Sequence, residues 1–326
     1  MRPIEAIIDL AALRHNLAIV RHNAPASKVL AMVKSNAYGH GLTDAAMALS
    51  DADGFGVASL AEAERLRQAG LLQPIVLMAG VFQPDELMDV ERLHLDCVVH
   101  HLEQAEWLVN HRMQRPLNVW LKLETGMHRL GLSEHDFLRV LELLSQCEWI
   151  QPRVWMTHLA CADDLDNSKT SEQLNAFNAL IQPWLDRGAT NDIQLSVANS
   201  AAVLAWPDTH YDWVRPGIML YGASPLIGQD AAAHQLKAVM TLRSKVMAIK
   251  TIQPGESVGY GADYVADKAQ TIAVIAAGYG DGYPRHAPTG TPVIINGAEC
   301  KLVGRVSMDM ITVDVSHIDV QLGDSA

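Results

Sequence analysis

Residues 28–41 read KVLAMVKSNAYGHG, a short apolar run that ends on a lysine and turns at once polar and glycine-rich. An apolar run of this length, bounded by turn residues, reads as a strand buried on both faces, the kind found in parallel sheets. Lys34 then stands at the carboxyl end of the strand, where α/β proteins keep their ligand sites. Such a lysine has two readings. It is either a snorkelling side chain whose ammonium reaches water, or a desolvated amine of lowered pKa that forms a Schiff base. Asn36, Tyr38, Gly39, His40 and Gly41 add hydrogen-bonding groups and glycines that allow close backbone approach. An ordinary strand-to-helix turn requires neither, and this shifts the weight toward the second reading.

Working outward, Ile4–Ile8 reads as a short strand, and Asp9 as the cap of a helix with Leu10, Leu13, Leu17 and Val20 at helical spacing. Beyond Lys34 the chain alternates. The apolar runs GFGVAS (54–59), PIVLMAG (74–80), LDCVVH (95–100), LNVWLKL (117–123), RVWMTH (153–158), IQLSVAN (193–199) and DWVRPG (212–217) are separated by amphipathic stretches such as SEHDFLRVLELL, with Ser133 as a ready N-cap. With the strand at Lys34 this makes eight βα units. The number predicts a closed (β/α)8 TIM-type barrel, with an open doubly wound sheet as the lesser possibility. After about Leu226 the helical period is lost, and VMTLRSKVMAIKTI, TIAVIAAGY, TPVIINGAECKLVG and MITVDV are β-rich, with Asn296-Gly297 placed as a hairpin turn. The expectation is a barrel over residues 1–227 and a mainly β domain over 228–326.

A hydrophobic fraction of 49% with 19% charged residues marks a globular chain, and a formal net charge of −12 argues against nucleic acid or an anionic membrane as partner. Cys97, Cys147, Cys161 and Cys300 are scattered with no CxxC pair, which suits reduced thiols and gives no disulfide or metal framework. MRPIEAIIDLAALRHNL carries no long apolar leader region, and no run approaches a membrane span. A cytoplasmic protein is expected.

If the barrel forms, functional residues belong at the carboxyl ends of its strands. Lys34, Lys122, His158, Asn199-Ser200 and Arg215-Pro216-Gly217 all fall there. Singly each has a plain reading: a satisfied structural histidine, an N-cap serine, solvated charges at Lys122 and Arg129. Together, Ser200 at a fresh helix start and the Gly217 and Ile218 amides suit a phosphomonoester, in the loops where such barrels bind phosphate. In the second half Tyr260 lies between Gly259 and Gly261. A tyrosine in a β domain is commonly packing, but glycines on both sides favour exposure or close approach.

The motifs VKSNAYGHG, LKLETGMHRLG, WVRPGIMLYG, ESVGYGADY, AAGYGDGYPR and GRVSMDM resemble those of the alanine racemases, and the likeness runs from residue 4 to residue 323. The resemblance implies a fold-type III enzyme that binds pyridoxal 5′-phosphate through Lys34 and interconverts L- and D-alanine by a two-base mechanism, supplying D-alanine for peptidoglycan or catabolising it. By the same likeness Tyr38, Asn199, Ser200, Gly217 and Ile218 serve the cofactor phosphate, and His158 stacks on its ring. Arg215 faces the ring nitrogen. An arginine, with its own pKa above about 12, cannot accept a proton there, which weakens the fully delocalised carbanion and suits racemisation over transamination. Arg129 and Met308 approach the substrate. Lys122, carbamylated in many family members, orients Arg129. Tyr279, Asp281 and Tyr283 belong to the entry stretch, and Asp309 stands with Met308 where substrate contacts are expected. Tyr260 is the second base, because a planar carbanion must be protonated from either face, and it reaches the site across the interface of a homodimer.

One departure stands out. Family members continue through a further strand and a helix that add a tyrosine to the phosphate site, so the chain is expected to lack about thirty C-terminal residues and to leave a β-edge unpaired after the QLGD turn. Three other readings compete. A non-catalytic pyridoxal-phosphate carrier lacks a β domain with a tyrosine base. A decarboxylase or aldolase on the same fold is disfavoured by Arg215 and by the missing metal-ligand cluster. A broad-specificity periplasmic racemase calls for a signal peptide.

Overall fold

The structure, a computed structural model, describes residues 2–186 and 193–326. The chain divides into two compact units, Asp9–Val239 and Met1–Ile8 together with Met240–Ala326. In the first, eight parallel strands close into a barrel: β2 (Lys28–Met32), β3 (Gly54–Val57), β4 (Ile75–Leu77), β5 (Asp96–Val99), β6 (Leu117–Lys122), β7 (Ile150–Met156), β8 (Gln194–Ser196) and β9 (Trp213–Val214). This is the TIM-type barrel that the eight βα units predict.

Its interior is packed by Leu30, Met32, Val76, Val98, Trp120, Val154, Met156 and Trp213. Room for Met32 comes from β3, because a Cβ at Gly56 would stand 2.6 Å from its sulfur. The register of β6 against β7 shifts between Val119 and Trp120, opposite Pro152, which has no N–H to give the ladder. Helices return the chain between strands, and Asp9 and Ser133 cap two of them as the sequence indicates, with Ser59 capping a third. Asp9 accepts from Ala11 and Ala12 at 2.8 and 3.0 Å, Ser59 from Glu62 at 3.3 Å, and Ser133 from Asp136 at 3.1 Å.

The second unit holds β1 (Glu5–Ile8) paired antiparallel with β10 (Met240–Arg243), and a five-stranded antiparallel sheet in the order β11-β14-β17-β16-β15. Those strands are β11 (Val246–Ile252), β14 (Gln270–Ile275), β15 (Pro292–Ile295), β16 (Ala298–Leu302) and β17 (Ile311–Asp314), and the short pair β12 (Ser257–Val258) and β13 (Tyr264–Val265) completes the unit. Asn296 and Gly297, at φ 52° and 79°, make the tight turn of the β15–β16 hairpin as expected. The core is Val246, Ile275, Ile295, Leu302, Ile311 and Val313 with their neighbours.

Two placements differ from the division expected at 227/228. The N-terminal strand, read with the barrel, pairs residue for residue with β10 in the β unit. Residues 228–239 stay with the barrel, because the fully buried Asn16 donates to the Leu220 and Lys237 carbonyls at 3.0 and 2.8 Å and accepts from the Lys237 amide at 2.8 Å. The edge expected to stand unpaired is met only where β11 begins, and beyond Val246 β14 is the one strand paired with β11 among the described residues. The turn forms at Gln321–Asp324, and Ser325 then bridges Lys245, with Ser244 and Ala326 exchanging bonds of 2.8 and 3.0 Å.

Candidate active site

The carboxyl ends of the barrel strands open on a cavity of about 750 Å³. Lys34, Lys122, Arg129 and Arg215 all line it, with Asp163 the acidic side chain on its wall. Four cations in one cavity repel one another, and they hold titratable neighbours away from their ordinary values. Burial first, then Arg129 and Arg215, pulls the Lys34 amine down, against the opposing pull of Glu62. Burial and the same neighbours bring Lys122 to about 8.

Lys34 is set by its backbone. After β2 the chain does not enter a right-handed helix: Ser35, Asn36, Ala37 and Tyr38 all take the left-handed conformation, with φ between 54° and 56°. For L-residues this costs roughly 1–2 kcal/mol each, so the surroundings must over-determine the turn. They do so with hydrogen bonds. Ala37 N–H donates to Val33 O at 2.8 Å, Gly39 to Ser35 O at 3.1 Å, and Leu42 N–H to the Asn36 side chain at 3.0 Å. Tyr221 locks the base of the turn, donating from its hydroxyl to Met32 O at 2.9 Å and stacking on Tyr38 with ring centroids 4.7 Å apart. Neither the left-handed turn nor Tyr221 was legible beforehand. An NAYGHG string signals close approach but not four successive positive φ angles.

Arg215 is 3% exposed and lies in a shell of neutral acceptors: Ser196 Oγ and Thr157 O at 2.6 Å, Val197 O at 3.1 Å and His158 Nδ1 at 3.3 Å. Among the described residues no carboxylate pairs with it, and burial lowers its pKa to about 10. A guanidinium only donates, so His158 Nδ1 is the acceptor and the ring proton sits on Nε2. Burial, then Arg215, Lys122, Arg129 and Lys34, holds that imidazole well below its usual value, hence neutral.

Arg129 rides on a loop closed at its base by hydrogen bonds from Glu124 N–H to Leu132 O at 2.9 Å and from Leu132 N–H to Lys122 O at 2.7 Å. Opposite, Asn199 caps the helix Ser200–Ala205 through Ala202 N–H at 3.1 Å. The Ser200 hydroxyl accepts from the Gly217 amide at 2.8 Å, and Ile218 lies on the rim. A Cβ at Gly217 would stand 2.3 Å from the Tyr38 hydroxyl. The bare backbone is what leaves that oxygen in place.

The remaining sequence-derived residues belong to the β unit. Tyr260, Met308 and Tyr279 are 72%, 61% and 37% exposed, and Asp309 is exposed beside them. Three turns hold them together. Tyr279 N–H donates to Ser307 O at 3.0 Å and Gly280 N–H to Met308 O at 2.7 Å, while Arg305 pairs with Asp263 against Gly261. Asp281 pairs with Arg2 at 3.0 Å, and burial raises the Tyr283 phenol.

Known proteins carry the same pattern. Residues 8–225 match the family model of the alanine racemase N-terminal domain, and residues 239–326 that of the C-terminal domain. The alanine racemase of Aeromonas hydrophila is 47% identical over 316 residues, covering 97% of this chain and 87% of that protein. The biosynthetic alanine racemase of Escherichia coli O6:H1 is 46% identical over 97% of this chain and 86% of its own length. The catabolic alanine racemase of Pseudomonas putida is 45% identical over 98% and 87%. Among solved structures, the biosynthetic alanine racemase of Pseudomonas aeruginosa superposes with a TM-score of 0.94 at 42% identity, covering all of this chain and 89% of that one. An eight-stranded barrel followed by a mainly β unit is thus the fold this chain shares with solved alanine racemases, and the chain belongs to the alanine racemase family of isomerases.

Proposed function

We propose that this chain interconverts L- and D-alanine with pyridoxal 5′-phosphate held at the carboxyl end of the barrel. The observation that carries the reading is the convergence of a desolvated Lys34, three further cations and the Ser200 hydroxyl on one cavity. The residues fit the cofactor. Ser200 and the helix start capped by Asn199 suit its phosphate, and the Tyr38 hydroxyl fills the cradle that Gly217 leaves open. When bound, the cofactor supplies an electron sink that acidifies the substrate α-hydrogen.

The chain's own residues do the rest. Lys34 Nζ, held below the ordinary lysine value by burial and then by its cationic neighbours, would hold the cofactor and take or return the α-proton on its face. Arg215 would hold the cofactor's ring nitrogen as a donor that accepts no proton, and neutral His158 would pack beside the ring. Arg129 binds the substrate carboxylate. Lys122, with a pKa of about 8, offers the neutral amine that adds carbon dioxide, and the resulting anion orients Arg129. Tyr260 is the second base, supplied by the partner in a cytoplasmic homodimer, with Met308 at the substrate and Tyr279 and Asp309 in support.

The deciding test is borohydride reduction of the protein loaded with cofactor, followed by peptide mapping, alongside racemisation assays from either enantiomer. The pyridoxyl mass is expected on the peptide carrying Lys34. Its appearance on Lys122, or absence of racemisation with a loaded Lys34, overturns the reading. Mixing Lys34→Ala with Tyr260→Phe chains should restore activity after subunit exchange. No recovery would show that both bases come from one chain.

A further inference from the structure

The left-handed turn after Lys34 leaves backbone donors at its start to be met from outside. Its cap is Val33 and the first donor bonded within it is Ala37, to Val33 O at 2.8 Å, so the Asn36 N–H has no carbonyl of the turn to meet. It goes to Glu62 Oε1 at 3.1 Å. The other carboxylate oxygen, Oε2, accepts from Ala58 N–H at 2.9 Å. Ala58 directly follows β3, and Lys34 lies just beyond β2. A single carboxylate thus bridges the ends of two adjacent barrel strands, on the wall of the cavity that Ala58 and Lys34 both line.

The sequence offers an ordinary role for this residue. Ser59-x-x-Glu62 is a capping-box pattern, in which the acid would turn back to its own helix cap. Ser59 does accept from Glu62 N–H, but the carboxylate reaches past the cap residue to Ala58 and across to Asn36. Both of its oxygens are committed to fixing the peptide groups around the lysine.

We propose that Glu62 is a positioning residue for Lys34: its carboxylate clamps the left-handed turn to the neighbouring strand end and sets the electrostatic field in which the amine titrates. The groups that face Lys34 are Arg129, Arg215, Lys122, His158, Tyr38 and Asp163, with Glu62 beneath the turn. Two of these, Arg129 and Arg215, are fixed cations that favour the neutral amine together with burial. Glu62 opposes them and favours the protonated form. A base serving one face of the α-carbon must both take and return a proton, and the carboxylate supports the form that returns it.

The proposal rests on Lys34 being the amine that carries the cofactor. That reading fails by a pyridoxyl label on another lysine, whereas this one fails by the titration of Lys34 itself. The experiment uses cofactor-free protein, wild type and Glu62→Gln. Acetic anhydride at a series of pH values is followed by mass spectrometry of the Lys34 peptide, and hydrogen exchange is followed at the peptide carrying Asn36. With the negative charge gone, the midpoint of Lys34 acetylation falls. Below that midpoint the reaction runs about three- to tenfold faster than in wild type. Exchange at the Asn36 peptide rises, because an amide presents one acceptor where the carboxylate presents two.

Glu62→Asp separates the two roles. It keeps the charge but is a methylene too short to bridge, so faster exchange is expected with a smaller move of the midpoint. It also serves if the glutamine variant fails to fold. A folded variant with an unchanged acetylation–pH curve overturns the electrostatic role. One with unchanged exchange at the Asn36 peptide overturns the clamp.

Discussion

The two ends of the barrel are built from the same strands and have opposite characters. At the amino end a cavity of about 490 Å³ is lined by Asp96, Asn118, Trp120, Asp212 and Trp213 among others. Its carboxylates accept from neutral donors, Asn118 Nδ2 and Trp120 Nε1 to Asp96 at 3.2 Å each and Leu195 N–H to Asp212 at 2.7 Å, with Arg153 also on the wall. At the carboxyl end four cations share a cavity, and four residues sit in left-handed backbone. Strand β6 passes from one regime to the other, with Asn118 at one cavity and Lys122 at the other. Strain and crowded like charge are gathered where a ligand is expected to repay them, and the far end is left to hold the barrel closed.

The contrast breaks most visibly at Lys34. Lys34→Ala should lower racemisation by about a thousandfold or more, since nucleophile and base go together, with a melting temperature close to wild type. Activity above a tenth of wild type would mean that the cavity's chemistry lies elsewhere. Arg215→Glu should cost about a hundredfold and let a species absorbing in the visible accumulate, with pyruvate formed by transamination. Normal racemisation without a new band would remove the argument from an arginine that cannot accept a proton.

Lys122 sharpens the comparison through pH. Its folded value of about 8 lies below the ordinary 10.5, so the unfolded chain binds the proton more tightly between those values. Its contribution to stability is therefore fully present above about pH 10.5 and lost as pH falls through 8. Thermal melts of cofactor-free, bicarbonate-free protein should show wild type gaining on Lys122→Met by a few degrees, about 2–6 °C, from pH 8 to 10. Parallel curves would show that Lys122 is as readily protonated in the fold as out of it.

How much of this was legible in the sequence follows from the range of the interactions concerned. The barrel announced itself through eight apolar runs alternating with amphipathic stretches, and strand ends then located Lys34, Lys122, His158 and Arg215 without further information. The Asn296-Gly297 hairpin was legible for the same reason, that local chemistry dictates it. What escaped depends on partners distant in the chain. β1 reads as an ordinary N-terminal strand, and only its ladder with β10, more than two hundred residues on, assigns it to the β unit. Glu62 reads as a helix-cap acid, and the left-handed turn it serves has no compositional mark beyond an asparagine and two glycines. Asn16 sits at a helical position that sequence treats as neutral, yet its three bonds to Leu220 and Lys237 move the boundary.

The amino end supplies the smallest expected effect on catalysis. Trp120 is 1% exposed, and its indole N–H finds its acceptor in Asp96. Asp96→Ala removes that acceptor and the one used by Asn118, leaving a buried donor unmet at a cost of about 1–3 kcal/mol. Asp96→Asn keeps one acceptor oxygen and should lose less. For a unit of this size the alanine variant should melt about 2–10 °C lower, with the asparagine variant between it and wild type. Racemisation per folded molecule should stay within about twofold, because no residue lines both this cavity and the one at the carboxyl end. The measurement pairs a thermal melt with kcat/KM on the same preparation. If Asp96→Ala melts normally but loses more than about tenfold in kcat/KM, the amino end takes part in the chemistry and the division of labour between the two ends is wrong. If both variants melt low together, the asparagine no better than the alanine, the ionised carboxylate rather than its acceptor geometry holds Trp120, and the neutral-donor account of this end gives way to an electrostatic one.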